Sequence, residues 1–454
     1  MTNAVATLSQ FICRTSFDEL PEALVVKAKQ HLLDTLGAAL AGSQAPLTQN
    51  ALRAMNASEA EGASVIWGAD YGLSARNAAL INGIAAHALE LDDAGGCDHS
   101  GAVVVPAMLA VLPLCEPMPD GQELLTAMVL GYDVARRVLE ACGGYSPHNE
   151  AGWHSTGTCG VFGAAAACAR LLKLDEQQTG SALGLAASMS GGLWAFIHDG
   201  ADSKKLHAGR PAEGGVLAAL LAREGFTGPT QVFDDVWGGF LRTLARDTAQ
   251  PQALTDDLGV VWKLARCSIK PYAACRGTHS AIDAIGQLLN EMQINADHVA
   301  SIQVNASAFL VDMCAGIDTQ TLAAAQMSLP YALAVRCLLG HAGLDAYEEI
   351  KRTSPAVKGF MQKIQMQVDE SLAPLDEPYV TLVSEDGRSA TLQIKTPLGG
   401  PLNPIGDGEL WAKYSSLANR ALPAMQAEHL GELCMNLQHI TDLQEMLDLL
   451  RPRT

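Results

Sequence analysis

The first half of the chain repeats apolar residues at helical spacing. In "DELPEALVVKAKQHLLDTLGAALAG" they recur three and four apart, Pro21 stands at an N1-like position after acidic residues, and Gly42 ends the run. "NAALINGIAAHALELDD", "ELLTAMVLGYDVARRVLEAC" and "GVFGAAAACARLLKL" keep the same period, and no convincing alternation interrupts it between Glu19 and Ala265. After Lys270 the period drops to two in "ASIQVNAS", "KIQMQVDE", "YVTLVSEDG" and "SATLQIKTPLGG". Within "SEDGRS", Asp386-Gly387 offers the positive φ angles of a hairpin turn. The helical patterns "HSAIDAIGQLLNEM" and "AAAQMSLPYALAVRCLLG" are interleaved with these strands, and the tail from "GELWAKYSSLANRAL" to "LQEMLDLL" is helical again. The pattern predicts two domains: a large all-α domain over residues 1–267, completed by C-terminal helices 402–454, and a smaller α+β domain over 268–401.

Composition narrows the function classes. Hydrophobic residues make up 48% of 454, ample for packed cores, while 42 glycines and 5% aromatics favour helices in close contact through small residues. A net charge of −19 with no basic stripe argues against nucleic acid and against a membrane surface. An anionic substrate therefore needs a local cationic pocket, which succeeds because the wider field is screened within roughly 8 Å at physiological salt. The N-terminus lacks the basic and apolar regions of a secretory signal, and the 11 scattered cysteines read as reduced thiols, so a cytoplasmic location is expected.

"RCSIKPYAACRGTHSAID" raises a choice between a metal site, a redox site and an anion grip. Cys267 and Cys275 have neither zinc-site nor iron–sulfur spacing, so they read as buried structural thiols and no metal or cofactor is expected. "GTCGVFG" is G-x-x-G-x-x-G with no preceding strand, so Gly157, Gly160 and Gly163 read as a helix start and close packing rather than a nucleotide loop. What remains are five polar islands: "ELDDAGGCDHSGAVVVPA", "GWHSTGTCG", "DSKKLHAGR", "KPYAACRGTHS" and "SLPYA". Each sets titratable groups beside Gly or Pro, where elements begin or end.

In this order, the five islands resemble the signature segments of the MmgE/PrpD family, whose members include 2-methylcitrate dehydratase, cis-aconitate decarboxylase and iminodisuccinate epimerase. The resemblance runs from about residue 5 to the C-terminal helices. It implies an all-helical domain built from both ends of the chain, an inserted α+β domain, an active cleft between them, no metal or organic cofactor, a homodimer, and a small polycarboxylate substrate. Carried over by motif, the pocket residues are Asp93, His99, His154, Lys204, Lys270 and Tyr331.

Residue chemistry suits that reading, since lysines and histidines offset carboxylate charge and stabilise an enediolate-like carbanion. Lys270, beside Pro271, is expected to clamp a carboxylate or donate a proton; Lys204 is expected to point inward and Lys205 into solvent, with Lys205 otherwise a substrate contact. His154 and His99 are candidate acid–base groups, with His207 behind them. Asp93 is expected to orient a histidine or accept from a substrate hydroxyl, one of Asp92 and Asp93 capping the preceding helix. Tyr331 is either a proton donor or core packing. Tyr145 is a further acid or base, and Arg276 a two-point carboxylate contact.

Many relatives follow the Asp-Asp pair with a threonine and an aromatic or histidine, whereas this chain reads "DDAGGCDH". Gly95, Gly96 and Cys97 are therefore expected to leave a roomier lip with fewer donors, and little turnover of 2-methylcitrate. A dehydratase-like lyase leads; a dicarboxylate epimerase, a decarboxylase and a non-catalytic binding protein follow.

Overall fold

A computed structural model describes residues 3–58 and 60–452 of the chain. They fall into two compact units. The first runs through Trp194, resumes over Ser203–Ile269 and ends with the segment from Gly406; the second is Ala195–Asp202 with Lys270–Ile405.

The first unit is helical. Its long elements are Glu22–Ser43, Ala75–His87, Gly101–Val111, Gly121–Ala141, Ser155–Leu171, Glu176–Ala187 and Ser203–Arg223, joined later in the chain by Asp407–Ala418 and Ala424–Met435. A two-residue antiparallel pair, Ser64–Val65 with Gly72–Leu73, is a small exception to the helical pattern. Pro21 is the N-cap of the first long helix rather than its first helical residue. Gly42 does not end that helix. It lies inside it because the helix Ala75–His87 crosses there, and a Cβ on Gly42 would sit 1.9 Å from the Ala85 carbonyl oxygen. A second crossing joins Gly83 to Gly209, where a Cβ on Gly83 would meet the Gly209 Cα at 2.7 Å. This contact sets the C-terminal end of one helix, at His87, beside the N-terminal end of another, at Lys204 and Lys205. Gly157 and Gly163 also face backbone, at Gly191 and Gly131.

The second unit is α+β. Its four-stranded sheet has the order Ile364–Val368, Val299–Ala306, Tyr379–Ser384, Ser389–Leu392; the first pair is parallel, the others antiparallel. Val380 and Leu382 point to the buried face while their neighbours are more exposed, the two-residue period of a half-buried strand. The hairpin uses positive φ only at Gly387 (84°), not at Asp386. A three-residue loop with glycine in the left-handed position needs no more, and Asp386 instead accepts from Ser384 Oγ and the Arg388 amide. "AAAQMSLPYALAVRCLLG" forms two helices, Leu322–Gln326 and Leu329–Leu339, because Ser328 caps the second by accepting from the Tyr331 amide.

Candidate active site

The polar cluster of the first unit is built on the loop 88–100, between the helices ending at His87 and beginning at Gly101. Glu90 (φ 58°) and Asp98 (φ 103°) hold positive φ there. Such angles in non-glycine residues cost on the order of 1–3 kcal/mol and persist only where surroundings enforce them. Asp93 supplies much of that enforcement. Its Oδ1 accepts from the Gly101 amide at 3.0 Å, and its Oδ2 accepts from the Tyr132 hydroxyl at 2.6 Å and faces His31 Nδ1 at 3.1 Å. All three side chains, Asp93, Tyr132 and His31, are fully buried. Neither acidic residue caps the preceding helix, since Asp93 is drawn to the N-terminus of the next one, where its charge suits the helix dipole.

Asp92 is the bridge of the cluster. One oxygen meets His87 Nδ1 at 2.9 Å and the other meets His99 Nδ1 at 2.9 Å. His99 Nδ1 also lies 2.8 Å from the Asp93 carbonyl oxygen. Both neighbours of that nitrogen are acceptors, so Nδ1 carries the hydrogen and Nε2 is the atom left for proton exchange. Burial alone would raise the Asp92 carboxyl, but His87 and His99 hold it well below the usual range; burial pushes His87 well down despite Asp92.

From His99 Nε2 the cluster continues to Asp98 Oδ2, 3.6 Å away, and on to His154 Nε2 at 3.5 Å. His154 is the N-cap of the helix Ser155–Leu171, and its Nδ1 meets His207 Nδ1 at 3.0 Å. The Tyr145 hydroxyl donates to Asp98 Oδ2 at 3.5 Å. Burial would raise Asp98, but His99, His154 and Lys204 depress it far more. Burial lowers His154 to about 4 against the pull of Asp98, and lowers His207 to about 3, helped by His154 and Lys204. At neutral pH the cluster therefore pairs a carboxylate at Asp98 with neutral imidazoles at His154 and His207.

Lys204 and Lys205 both turn inward, which corrects the expectation of a solvated Lys205. Each donates to one oxygen of Glu90, and the three side chains are 1–4% exposed. A carboxylate has two acceptor oxygens, so consecutive lysines in the first turn of one helix can share it. Its negative charge also relieves two cations placed at a helix N-terminus, where the dipole disfavours them. Burial lowers Lys205 to about 8, partly opposed by Glu90.

The remaining candidates belong to the second unit. Lys270 opens it and is 1% exposed. Arg276 pairs with Glu377 at 2.9 Å, so the carboxylate it meets is the protein's own. Tyr331 is fully buried and donates to the Ala346 carbonyl at 2.6 Å, which the packing alternative explains. Cys267 and Cys275 are 1% and 8% exposed.

The lip after Asp93 is not roomy. Gly96 and Cys97 are packed down: a Cβ on Gly96 would meet Ser100 Oγ at 2.1 Å, the Gly96 carbonyl accepts from Arg136 at 3.1 Å, and Ala94 bridges to Ser268. Small residues here let the loop press onto neighbouring backbone instead of opening a space. Sequence reasoning also passed over His87, Glu90, Asp92 and Asp98 as cluster members. Their signal was present, since "HALELDDAGGCDH" sets four acids and two histidines in a run of otherwise apolar and small residues with one thiol.

Two family models match the chain, the MmgE/PrpD N-terminal domain over residues 6–252 and the MmgE/PrpD C-terminal domain over residues 272–438. A cis-aconitate decarboxylase-like protein of Aspergillus oryzae is 27% identical, with 99% of this chain and 97% of the relative covered. The cis-aconitate decarboxylase of Aspergillus terreus is 26% identical with the same coverage, and that of Homo sapiens is 24% identical over 95% of this chain and 91% of its own length. With both domain models matched in order and these relatives aligned nearly end to end, the chain belongs to the MmgE/PrpD family.

Proposed function

We propose that this protein is a lyase acting on a small di- or tricarboxylate through a carbanion beside a carboxylate, with decarboxylation ahead of dehydration. The observation that supports this most is the pair of buried lysines sharing the Glu90 carboxylate next to a histidine whose Nδ1 is already committed. An ammonium has three donors, so each lysine can take a substrate carboxylate while keeping Glu90. Positive charge at that carboxylate lowers the cost of placing an electron pair on the adjacent carbon.

In the decarboxylating direction, the bond from carbon to the departing carboxylate breaks and carbon dioxide leaves. Its electron pair spreads into the conjugated carboxylate, and a protonated imidazole at His99 Nε2 returns a proton to carbon. Asp92 behind Nδ1 stabilises that imidazolium, as a carboxylate does behind the base of a serine-protease triad. Dehydration uses the same imidazole, unprotonated, to remove the proton, and the Tyr145 hydroxyl as the second group that protonates the departing hydroxide. The relatives' names favour decarboxylation, with cis-aconitate as the first compound to test. A dehydratase on 2-methylcitrate and an epimerase on a dicarboxylate such as iminodisuccinate remain the second readings. The chemistry calls on no cofactor, and a cytoplasmic homodimer belongs to the same reading.

The deciding experiment incubates pure protein with a panel of polycarboxylates in deuterated water and follows mass. Loss of carbon dioxide with deuterium at the new C–H bond supports the proposal. Loss of water shifts it to dehydration, exchange without loss shifts it to epimerisation, and no reaction across the panel defeats the lyase reading.

A further inference from the structure

Two triplets in the cluster bring ligating atoms together: His87, Asp92, His99 and Asp98, His99, His154. Their spacings differ in kind. In the first, the two oxygens of Asp92 lie 2.9 Å from His87 Nδ1 and 2.9 Å from His99 Nδ1. In the second, Asp98 Oδ2 stands 3.6 Å from His99 Nε2 and 3.5 Å from His154 Nε2, and all three atoms lie within 4.8 Å of one another. These separations exceed the ~2.7–3.2 Å of an ordinary N–H···O bond. They match the about 3.3–3.5 Å between neighbouring ligands of a tetrahedral zinc with ~2.0–2.1 Å bonds.

From this geometry we propose that Asp98, His99 and His154 form a binding site for a zinc-class divalent cation. The other ring nitrogens are arranged as metal-bound histidines require. His99 Nδ1 is held by Asp92 and the Asp93 carbonyl, and His154 Nδ1 by His207. Such outer contacts fix ring orientation and raise ligand basicity. The Tyr145 hydroxyl lies 3.5 Å from the same Asp98 oxygen.

An ion at this place ties up the Nε2 atoms of both histidines and so blocks proton transfer. That inhibitory consequence rests on the lyase reading; the binding itself does not.

The test uses chelator-stripped full-length protein titrated with zinc sulfate by calorimetry. One ion per chain is expected, with affinity at least tenfold weaker in Asp98→Asn. X-ray absorption of the zinc-loaded native chain is expected to show two imidazoles and oxygen, and this decides the matter if Asp98→Asn does not fold. Absence of saturable binding, unchanged affinity in a folded Asp98→Asn, or a sulfur ligand overturns the site. Zinc is also added during turnover of whichever panel compound reacts, and inhibition reversed by chelator is expected. Turnover unaffected by a bound ion overturns the inhibitory role. A stripped protein that turns over nothing in the panel counts against the lyase reading, and the binding arms still decide the metal site.

Discussion

The carboxylate of Asp92 meets His99 Nδ1 at 2.9 Å, and the two are fully and almost fully buried. With the Asp93 carbonyl on the same nitrogen at 2.8 Å, the ring has one tautomer and one exchangeable position.

Replacing Asp92 by Asn keeps the shape and removes the charge that stabilises a His99 imidazolium. We expect kcat to fall about 10²–10⁴-fold, the range of a general acid–base contribution, with KM changed much less. Steady-state kinetics beside a melting curve make the check. An unchanged kcat in a folded variant would mean that Asp92 only packs the loop.

The Lys205 ammonium, lowered to about 8 by burial, sets an alkaline limit. Below that pH Lys205 is charged; above it Lys205 loses its proton, the pocket loses one positive charge, and an anionic substrate binds more weakly. KM is expected to rise as pH passes about 8 and to stay flat in Lys205→Arg, whose guanidinium remains charged. A KM profile of the wild type that is level from pH 7 to about 9 contradicts this assignment.

The two lysines share the Glu90 carboxylate. Its removal in Glu90→Ala leaves two buried cations side by side, a loss of about 3–5 kcal/mol. Lys205→Met removes one cation and leaves Glu90 with Lys204, so a smaller loss is expected. Denaturant titration ranks the two variants, and equal stability would place the triad outside the folding balance.

At Gly209 an added Cβ would lie 2.3 Å from the Leu80 carbonyl oxygen. Backbone cannot step aside as a side chain can, so Gly209→Ala is expected to cost about 1–3 kcal/mol, as overpacking does, and to lower turnover by shifting Lys204 and Lys205 against the loop. A variant with native melting temperature and native rate would show that the crossing has slack.

Chelation is expected to leave turnover of the true substrate intact, or to raise it where zinc was carried through purification. Assay before and after exhaustive dialysis against chelator checks this, and loss restored by one specific metal would falsify the cofactor-free reading.

The two-class fold was legible because a period near 3.6 and a period of two are local properties of the chain. "HSAIDAIGQLLNEM" became the helix His279–Met292 end to end. Gly42 misled because a glycine that ends a helix and one that admits a neighbour's backbone look alike until the neighbour is placed. Lys205 misled for a related reason. Solvation is the cheaper outcome for that side chain unless Glu90, 115 residues away, is brought beside it. Single islands pointed to His99 and His154, whereas the bridge through Asp92 and the spacing at Asp98 depend on a loop held by positive φ, which sequence period does not encode.

The crossing of Gly83 and Gly209 has an evolutionary consequence. Hydrophobic interiors drift readily, exchanging one apolar side chain for another as long as volume is kept. Where two main chains touch without side chains between them, that drift has nothing to act on. The alignment of Lys204 and Lys205 with the loop after His87 is thus insulated from repacking elsewhere in the helical unit, and the core can diverge while the polar cluster keeps its register.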